Sequence, residues 1–498
     1  MADWPVCLTG FGVGADDSLR WSDFCERTAV PGIVSYGAYL PYFRLERKLI
    51  VQALGQGGGR GTRAVASYDE DTTSMGVEAA RNALAATSRK ALQSLLFSTS
   101  APAYLDKTNA TAVHAALGLD GSVAAFDFGG APRSAIGAVV LGAGTSGNTL
   151  VVASDTRTGK PGSSDEAGGG DAAVALLTGS EDVLVELVAH TTATAEFLDR
   201  WREPGASNSQ LWEERFGENE YVPLAAAAIT EALKQAGIMA EEIDHLVVGG
   251  VHARAVGVIA KSVGVRAGVL ADDLTSSVGS TGTAATLLVL CDVLDRAGAN
   301  ETIVQVNVAD GVDVLVWRTT TQLAGFREAR TSPSVQAQIA GGNTSLSYTQ
   351  FLTWKGELVR EPPRRPDPDR LSATASGRNV EWKFGFNASR CLACGTRHLP
   401  PMRVCLNCNS VDNMMSEPLA AVQATIATYT IDRLAFTLSP PVVAVVIDYD
   451  GGGRFTCEMT DVDPADVAIG QRVAMTFRRL NTAQRIHNYF WKARPVRD

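Results

Sequence analysis

The chain has 498 residues, 45% of them hydrophobic and 20% charged, with a net charge of −10. This length exceeds what one hydrophobic core organises, so two or more domains are expected, and the residue balance is that of a globular protein. The acidic total argues against a nucleic-acid partner, although Arg472, Arg478, Arg479, Arg485, Lys492, Arg494 and Arg497 concentrate near the C-terminal end. No apolar run reaches the roughly 20 residues that span a bilayer. The N-terminus carries Asp3 and lacks the basic stretch of a secretory signal. Eight cysteines in a chain this long do not form a disulfide scaffold. No membrane partner and a reducing, cytoplasmic location are the expectation.

Residues 1–31 read as an N-terminal extension of unassigned role. From about residue 33 to 320, apolar β-branched runs alternate with Ala-rich stretches. Buried strands are predicted at Leu95–Ser98, Val123–Phe128, Thr149–Ser154, Asp244–Gly249 and Thr302–Val308. Helices are predicted at Thr72–Leu84, Thr108–Leu117, Arg133–Leu141, Leu224–Ala236 and Thr281–Ala297. The alternation predicts a largely parallel sheet covered on both faces. Each half also closes alike. Thr149–Ser154, a turn at Gly168–Asp171 and the run Ala172–Leu177 match Thr302–Val308, the turn Ala309-Asp310-Gly311 and the run Val312–Trp317. Such turns are common, but their placement reads as a duplicated α/β domain.

Residues 357–378, with Pro362-Pro363-Arg364-Arg365-Pro366 and Pro368, read as a linker, because proline removes backbone donors and fixes φ. Next come Cys391-x-x-Cys394 and Cys405-x-x-Cys408, ten residues apart. Two such knuckles set four thiolates at the corners of a tetrahedron, which suits a structural Zn²⁺ with no open position. His398, inside the loop, reads as a bystander. The tail holds the runs Val442–Ile447, Phe455–Met459 and Val473–Phe477, which predict a small β-barrel.

Arg390-Cys391-Leu392-Ala393-Cys394-Gly395, Leu399-Pro400-Pro401, Arg403-Val404-Cys405, Asp461–Asp466 and Ile469-Gly470-Gln471-Arg472-Val473 resemble the rubredoxin-like zinc ribbon and OB-fold of acyl-CoA-associated proteins. The lead-in Tyr348-x-x-Phe351-Leu352-x-Trp354-Lys355-Gly356 fits the same family. Gly32–Pro41, Asp69-Glu70-Asp71-Thr72 through Ala80, and Arg215-Phe216-Gly217-Glu218 with Tyr221 resemble hydroxymethylglutaryl-CoA synthase of the thiolase superfamily. The resemblances imply an α/β fold: a duplicated five-layered α-β-α-β-α domain, then a zinc ribbon and a small OB-fold barrel. The domains implied are 32–325 (thiolase-like), 326–387 (linker with a helix), 388–412 (ribbon) and 413–498 (OB-fold). They also imply a CoA thioester as substrate, structural zinc, a homodimer and a possible thiolase-type partner subunit.

The family's nucleophilic Cys lies five residues after an Asp that ends a strand. Counting from Asp127, that position is Pro132, which has no nucleophile. Ser134 is a replacement candidate, and Cys7, Cys25, Cys291 and Cys457 match no family nucleophile. His252 occupies the family's histidine position, and is otherwise a structural histidine. Ser280 stands where the family has Asn. Glu70 matches its acid/base glutamate, and is otherwise a macrodipole partner at a helix start. Three readings stay open. In the first, His252, Glu70 and Ser280 run aldol or retro-aldol C–C chemistry on an acyl-CoA, a lyase activity without a Cys nucleophile. In the second, the chain is a CoA-thioester-binding scaffold for a thiolase. In the third, it is an acyltransferase or condensing synthase with another nucleophile.

Overall fold

A computed structural model of the chain describes residues 30–85, 92–361 and 368–497. Nearly all of the N-terminal extension, with Cys7 and Cys25, lies outside the described residues, as does the run Pro362–Pro366 of the linker.

The predicted apolar runs become strands because both of their faces are covered. Thr302–Val308 is buried at every position, as is Ala172–Gly179. Nine strands hydrogen-bond in the order His245–Gly250, Thr302–Val308, Gly311–Thr319, Val185–Thr194, Gly32–Tyr39, Ala172–Gly179, Asn148–Asp155, Leu92–Thr99 and Ala124–Gly129. Within the sheet the two halves are joined where Gly32 and Ile33 pair with Glu186 and Val185. Outward from that seam the pairing repeats: antiparallel, antiparallel, then parallel. The first half ends on one more parallel strand; the second ends on a parallel bridge between Leu246 and Leu270.

The duplication is therefore real, but the expectation of a largely parallel sheet is corrected. Only three of the eight junctions are parallel. The physical reason lies in the two closing units. Asn148–Asp155 with Ala172–Gly179, and Thr302–Val308 with Gly311–Thr319, reverse direction without a crossover helix, which forces antiparallel pairing.

Helices Ser134–Gly144 and Ala285–Leu294 form the middle layer. Ala285–Leu294 touches strands of both halves and is buried at nearly every position, as a helix apolar all round must be. Thr72–Leu84 and Ala110–Ala116 cover the outer face of the first half. Glu214–Ala236 and Ala253–Ser262 cover that of the second. The result is the five-layered α-β-α-β-α arrangement.

Strands Arg397–His398, Asn387–Cys391 and Met414–Pro418 make a small sheet carrying the cysteine knuckles. Ala424–Asp432, Val442–Tyr449, Arg454–Met459, Ile486–Pro495 and Arg472–Ala483 then close a barrel. Strand Arg472–Ala483 packs against helix Thr72–Leu84, and the two cores are continuous.

Most of the basic C-terminal residues meet carboxylates. Arg478, fully buried, pairs with Glu70 (2.8 Å), Asp461 (2.5 Å) and Asp69 (3.4 Å). Lys492 pairs with Asp69 (3.0 Å) and Glu458 (2.7 Å), and Arg494 with Glu78 (3.3 Å). The Glu70 carboxylate also accepts from the Tyr39 hydroxyl (2.5 Å) and the Ser67 N–H (2.9 Å). Burial pushes Glu70 up to about 7 despite the pull of Arg478, with Asp461 and Asp69 adding to the rise.

This shift has a consequence for stability. An unfolded glutamate ionises near 4.5, whereas folded Glu70 holds its proton to about 7. The native state thus binds more protons between those values, and this residue's contribution to stability falls as pH rises through the window. Glu70→Gln should flatten the dependence. In urea unfolding from pH 5 to 8, the variant's midpoint should rise relative to the parent's as pH increases; parallel curves would refute the assignment.

Candidate active site

A cavity of ≈ 400 Å³ opens where the two halves meet at their strand ends. His252 and Ser280 line it; Glu70, Pro132 and Ser134 do not. The expectation that Glu70 and His252 face one cavity is therefore corrected. The counter-charges of Glu70 come from the barrel, and they hold it against Thr72–Leu84 on the outer side of the sheet.

His252 follows strand His245–Gly250 and is the N-cap of helix Ala253–Ser262. Its Nδ1 accepts from the Ala255 N–H (3.0 Å), so Nε2 carries the proton and donates to the Glu214 carbonyl (2.8 Å). The ring is fixed and 7% exposed.

Ser280 is held by its backbone: its N–H donates to the Gly168 carbonyl (2.8 Å), and its carbonyl accepts from the Gly170 N–H (2.9 Å). The Gly168–Asp171 turn, read from sequence as half of a repeat, thus bridges the two halves at the cavity.

At the family's nucleophile position the chain is built around Arg133 rather than a thiol. Arg133 donates to Asp313 (2.8 Å), to the Asp310 carbonyl (2.7 Å) and to Thr192 Oγ1 (2.7 Å). Burial works to raise Asp313, but the nearness of His190 (3.9 Å) and hydrogen bonds from Arg133 (2.8 and 3.2 Å) and Thr192 hold it at about 2. The Ser134 hydroxyl donates to the Gly129 carbonyl (3.2 Å). Cys291 is buried in the middle layer, and burial pushes its thiol well up; burial raises the Cys457 thiol to about 12. Neither is a thiolate at neutral pH.

Sequence reasoning missed Asp199. It lines the cavity, is 4% exposed, and its carboxylate has no hydrogen-bond or ion-pair partner among the described residues. Burial raises it, with His252 and Arg200 pulling the other way. Gly217, in the first turn of helix Glu214–Ala236, brings this group and the imidazole to one side of the cavity. A Cβ on Gly217 would lie 2.5 Å from His252 Cδ2, 2.6 Å from Asp199 Oδ1 and 2.8 Å from His252 Nε2. No periodicity marks Asp199; the bare glycine in the Arg215-Phe216-Gly217-Glu218 motif was the available signal.

The four ribbon cysteines converge. Their Sγ atoms all lie within 4.8 Å of one another, with Cys391–Cys408 at 3.7 Å and Cys394–Cys405 at 3.5 Å. An all-thiol donor set at that spacing fits a tetrahedral Zn²⁺ and leaves no position for substrate.

Comparison with known proteins agrees with this architecture. The model of the "ChsH2, C-terminal OB-fold domain" family matches residues 417–478. Hydroxymethylglutaryl-CoA synthase of Thermococcus sibiricus is 28% identical over 339 residues, 66% of this chain and 97% of the relative. That of Pyrococcus furiosus is 28% identical over 291 residues, 56% of this chain and 83% of the relative. Among solved structures, MvaS in complex with 3-hydroxy-3-methylglutaryl coenzyme A aligns with a TM-score of 0.55 at 17% identity, over 69% of this chain and 96% of that one. 3-Oxoacyl-[acyl-carrier-protein] synthase III from Aquifex aeolicus aligns at 0.51 and 18%, over 58% and 99%. The fold is thiolase-like. More closely, the chain is similar to hydroxymethylglutaryl-CoA synthases over most of their length, and residues 417–478 match the ChsH2 C-terminal OB-fold domain.

Gly217→Ala should cost about 1–3 kcal/mol in chemical denaturation, because the methyl group must displace two fixed side chains. Gly257→Ala is the control. Nothing lies within 4 Å of its Cβ, so it should be neutral or stabilising by up to about 1 kcal/mol.

Proposed function

We propose that the chain is an acyl-CoA-processing enzyme that makes or breaks a C–C bond by aldol-type acid–base chemistry, without a Cys nucleophile. One observation carries the reading. The cavity pairs a buried carboxylate without a partner among the described residues, Asp199, with the imidazole of His252, while Pro132 stands where an acyl-accepting thiol would be needed. The relatives' name, hydroxymethylglutaryl-CoA synthase, supports a CoA thioester as substrate.

In the cleavage direction, Asp199 takes the proton of a β-hydroxyl as the Cα–Cβ bond breaks. The bonding pair moves onto the thioester as an enolate, whose oxygen accepts from the Ser280 hydroxyl, and Cα then takes a proton from Asp199. Condensation is the reverse. Glu70 holds the barrel in this scheme.

A second reading, a scaffold that binds CoA thioesters for a thiolase-type partner, draws on the hydrogen bonds that occupy both nitrogens of His252. A homodimer belongs to either reading. It is supported by edge strand Ala124–Gly129, where Phe126 is 57% exposed, and by exposed Leu141 on the adjoining helix. The domain limits 32–325, 326–387, 388–412 and 413–498 and a cytoplasmic setting, which keeps four thiols reduced, complete the proposal.

The purified chain should convert one of a panel of β-hydroxyacyl-CoA thioesters, read by mass spectrometry of the products. Asp199→Asn and His252→Asn, the latter keeping a good N-cap, should each lower turnover by about 10²–10⁴-fold with binding retained. Unchanged turnover in both variants, or an acyl adduct trapped on a cysteine, would sink the enzymatic reading; binding without turnover by the parent would favour the scaffold.

Elemental analysis of reduced protein should give one zinc per chain, held by Cys391, Cys394, Cys405 and Cys408. Cys405→Ser should lose that zinc and the ribbon's protection from proteolysis. Protein that is metal-free yet protease-resistant would contradict a structural role.

A further inference from the structure

The cavity is lined by an arginine that no carboxylate among the described residues pairs with at ion-pair distance. Arg157 lies just past strand Asn148–Asp155, and its backbone is clamped at both ends. Its N–H donates to Asp171 Oδ1 (2.7 Å), and its carbonyl accepts from Arg63 Nη2 (2.7 Å). The guanidinium lines the cavity with His252 and Asp199. Its one hydrogen bond is a long donation to the Ser100 hydroxyl (3.3 Å), and no carboxylate among the described residues pairs with it.

Other cations are held by acceptors: Arg63, Arg478 and Lys492 are buried facing carboxylates, half-buried Arg494 faces Glu78, and Arg44 donates to three backbone carbonyls. Near Arg157 lie Arg200 and Arg202 on one hand and Asp155 and Asp165 on the other. Arg202 donates to the Ser100 carbonyl and has no carboxylate partner among the described residues. Arg200 is taken by Asp165 in a bidentate pair (2.9 and 2.8 Å). Asp155 already accepts from the Thr99 and Ser100 hydroxyls and from the N–H groups of Ser100 and Thr283. Burial, and then the proximity of Arg200, pull the Arg157 pKa down. Arg157 is half-buried and without an ion-pair partner among the described residues, so a ligand that brings an oxyanion supplies the acceptor the fold leaves out.

We infer that Arg157 is the receptor for an anionic oxygen group of the ligand, a carboxylate at the end of the acyl chain or a phosphate of CoA. The planar guanidinium suits bidentate pairing with either. The inference rests on the CoA-thioester reading for the identity of the ligand, but the unpaired cation stands independently of it.

The test measures binding to the full chain by calorimetry. The ligands are glutaryl-CoA, its methyl ester, the 3′-dephospho form of each, and glutarate alone. Parent and Arg157→Gln are compared, with Arg157→Lys as the conservative variant. Removing an unpaired cation should leave the Gln variant's thermal midpoint unchanged or raised, so a folding failure would itself contradict the argument. An acyl-chain carboxylate is the source if the parent prefers glutaryl-CoA over the ester by about tenfold or more and Arg157→Gln abolishes the preference, with Lys restoring it in part. A CoA phosphate is the source if Arg157→Gln weakens both 3′-phosphorylated thioesters equally and the dephospho forms not at all. Affinities within twofold of the parent for every ligand overturn the proposal. Should the parent bind no thioester, the CoA reading falls. Arg157-dependent binding of glutarate would then keep the anion site, and its absence would remove that too.

Discussion

A guanidinium with no exposed surface has to be surrounded by negative charge, and Arg478 meets that requirement only when two domains are brought together. The barrel supplies Asp461; Asp69 and Glu70 come from the loop that enters helix Thr72–Leu84. Removing one partner from such a cluster would strand a buried charge, at a cost of about 3–5 kcal/mol. The docked arrangement is therefore strongly preferred over any that separates the two. Asp71, next in the chain, caps the helix through the Ser74 N–H (2.9 Å) and accepts from Tyr489 of the barrel (2.7 Å). The helix start and the barrel wall are fixed by the same three consecutive acidic residues.

That commitment bears on chemistry. A carboxylate held by Arg478, Tyr39 and the Ser67 N–H serves as an anchor, and it lies away from the cavity that holds His252. The acid–base group of this cavity has to come from elsewhere, and Asp199 meets the physical conditions. It is buried, so its proton affinity is raised. It is unpartnered, so it is free to exchange a proton, and Gly217 lets it stand beside the imidazole.

Much of the fold is legible in the residues. Runs such as Thr302–Val308 are apolar and β-branched because both faces are covered, and the repeated strand–turn–strand endings mark the duplication. The cysteine knuckles are legible because metal geometry dictates their spacing. Strand direction was not, since it is set by which partner each strand finds rather than by composition. Nor was the fate of Glu70, whose motif is local while its partner Arg478 lies 409 positions from the neighbouring Asp69. His252 was located by its place at a strand end, but its tautomer depends on a carbonyl from a distant helix start, which no local pattern encodes. Asp199 sits in a loop without periodicity, and only the fold gives it a neighbour.

The cavity is polarised as a result. Asp199 and His252 stand together across Gly217, and Arg157 adds a cation without an ion-pair partner among the described residues. The Asp165–Arg200 pair also lines the cavity, but it is bidentate and self-neutralising, so it adds little field of its own. A ligand with an oxyanion at one end and an exchangeable proton at the other lowers its energy in one orientation, with the oxyanion toward Arg157 and the proton toward Asp199.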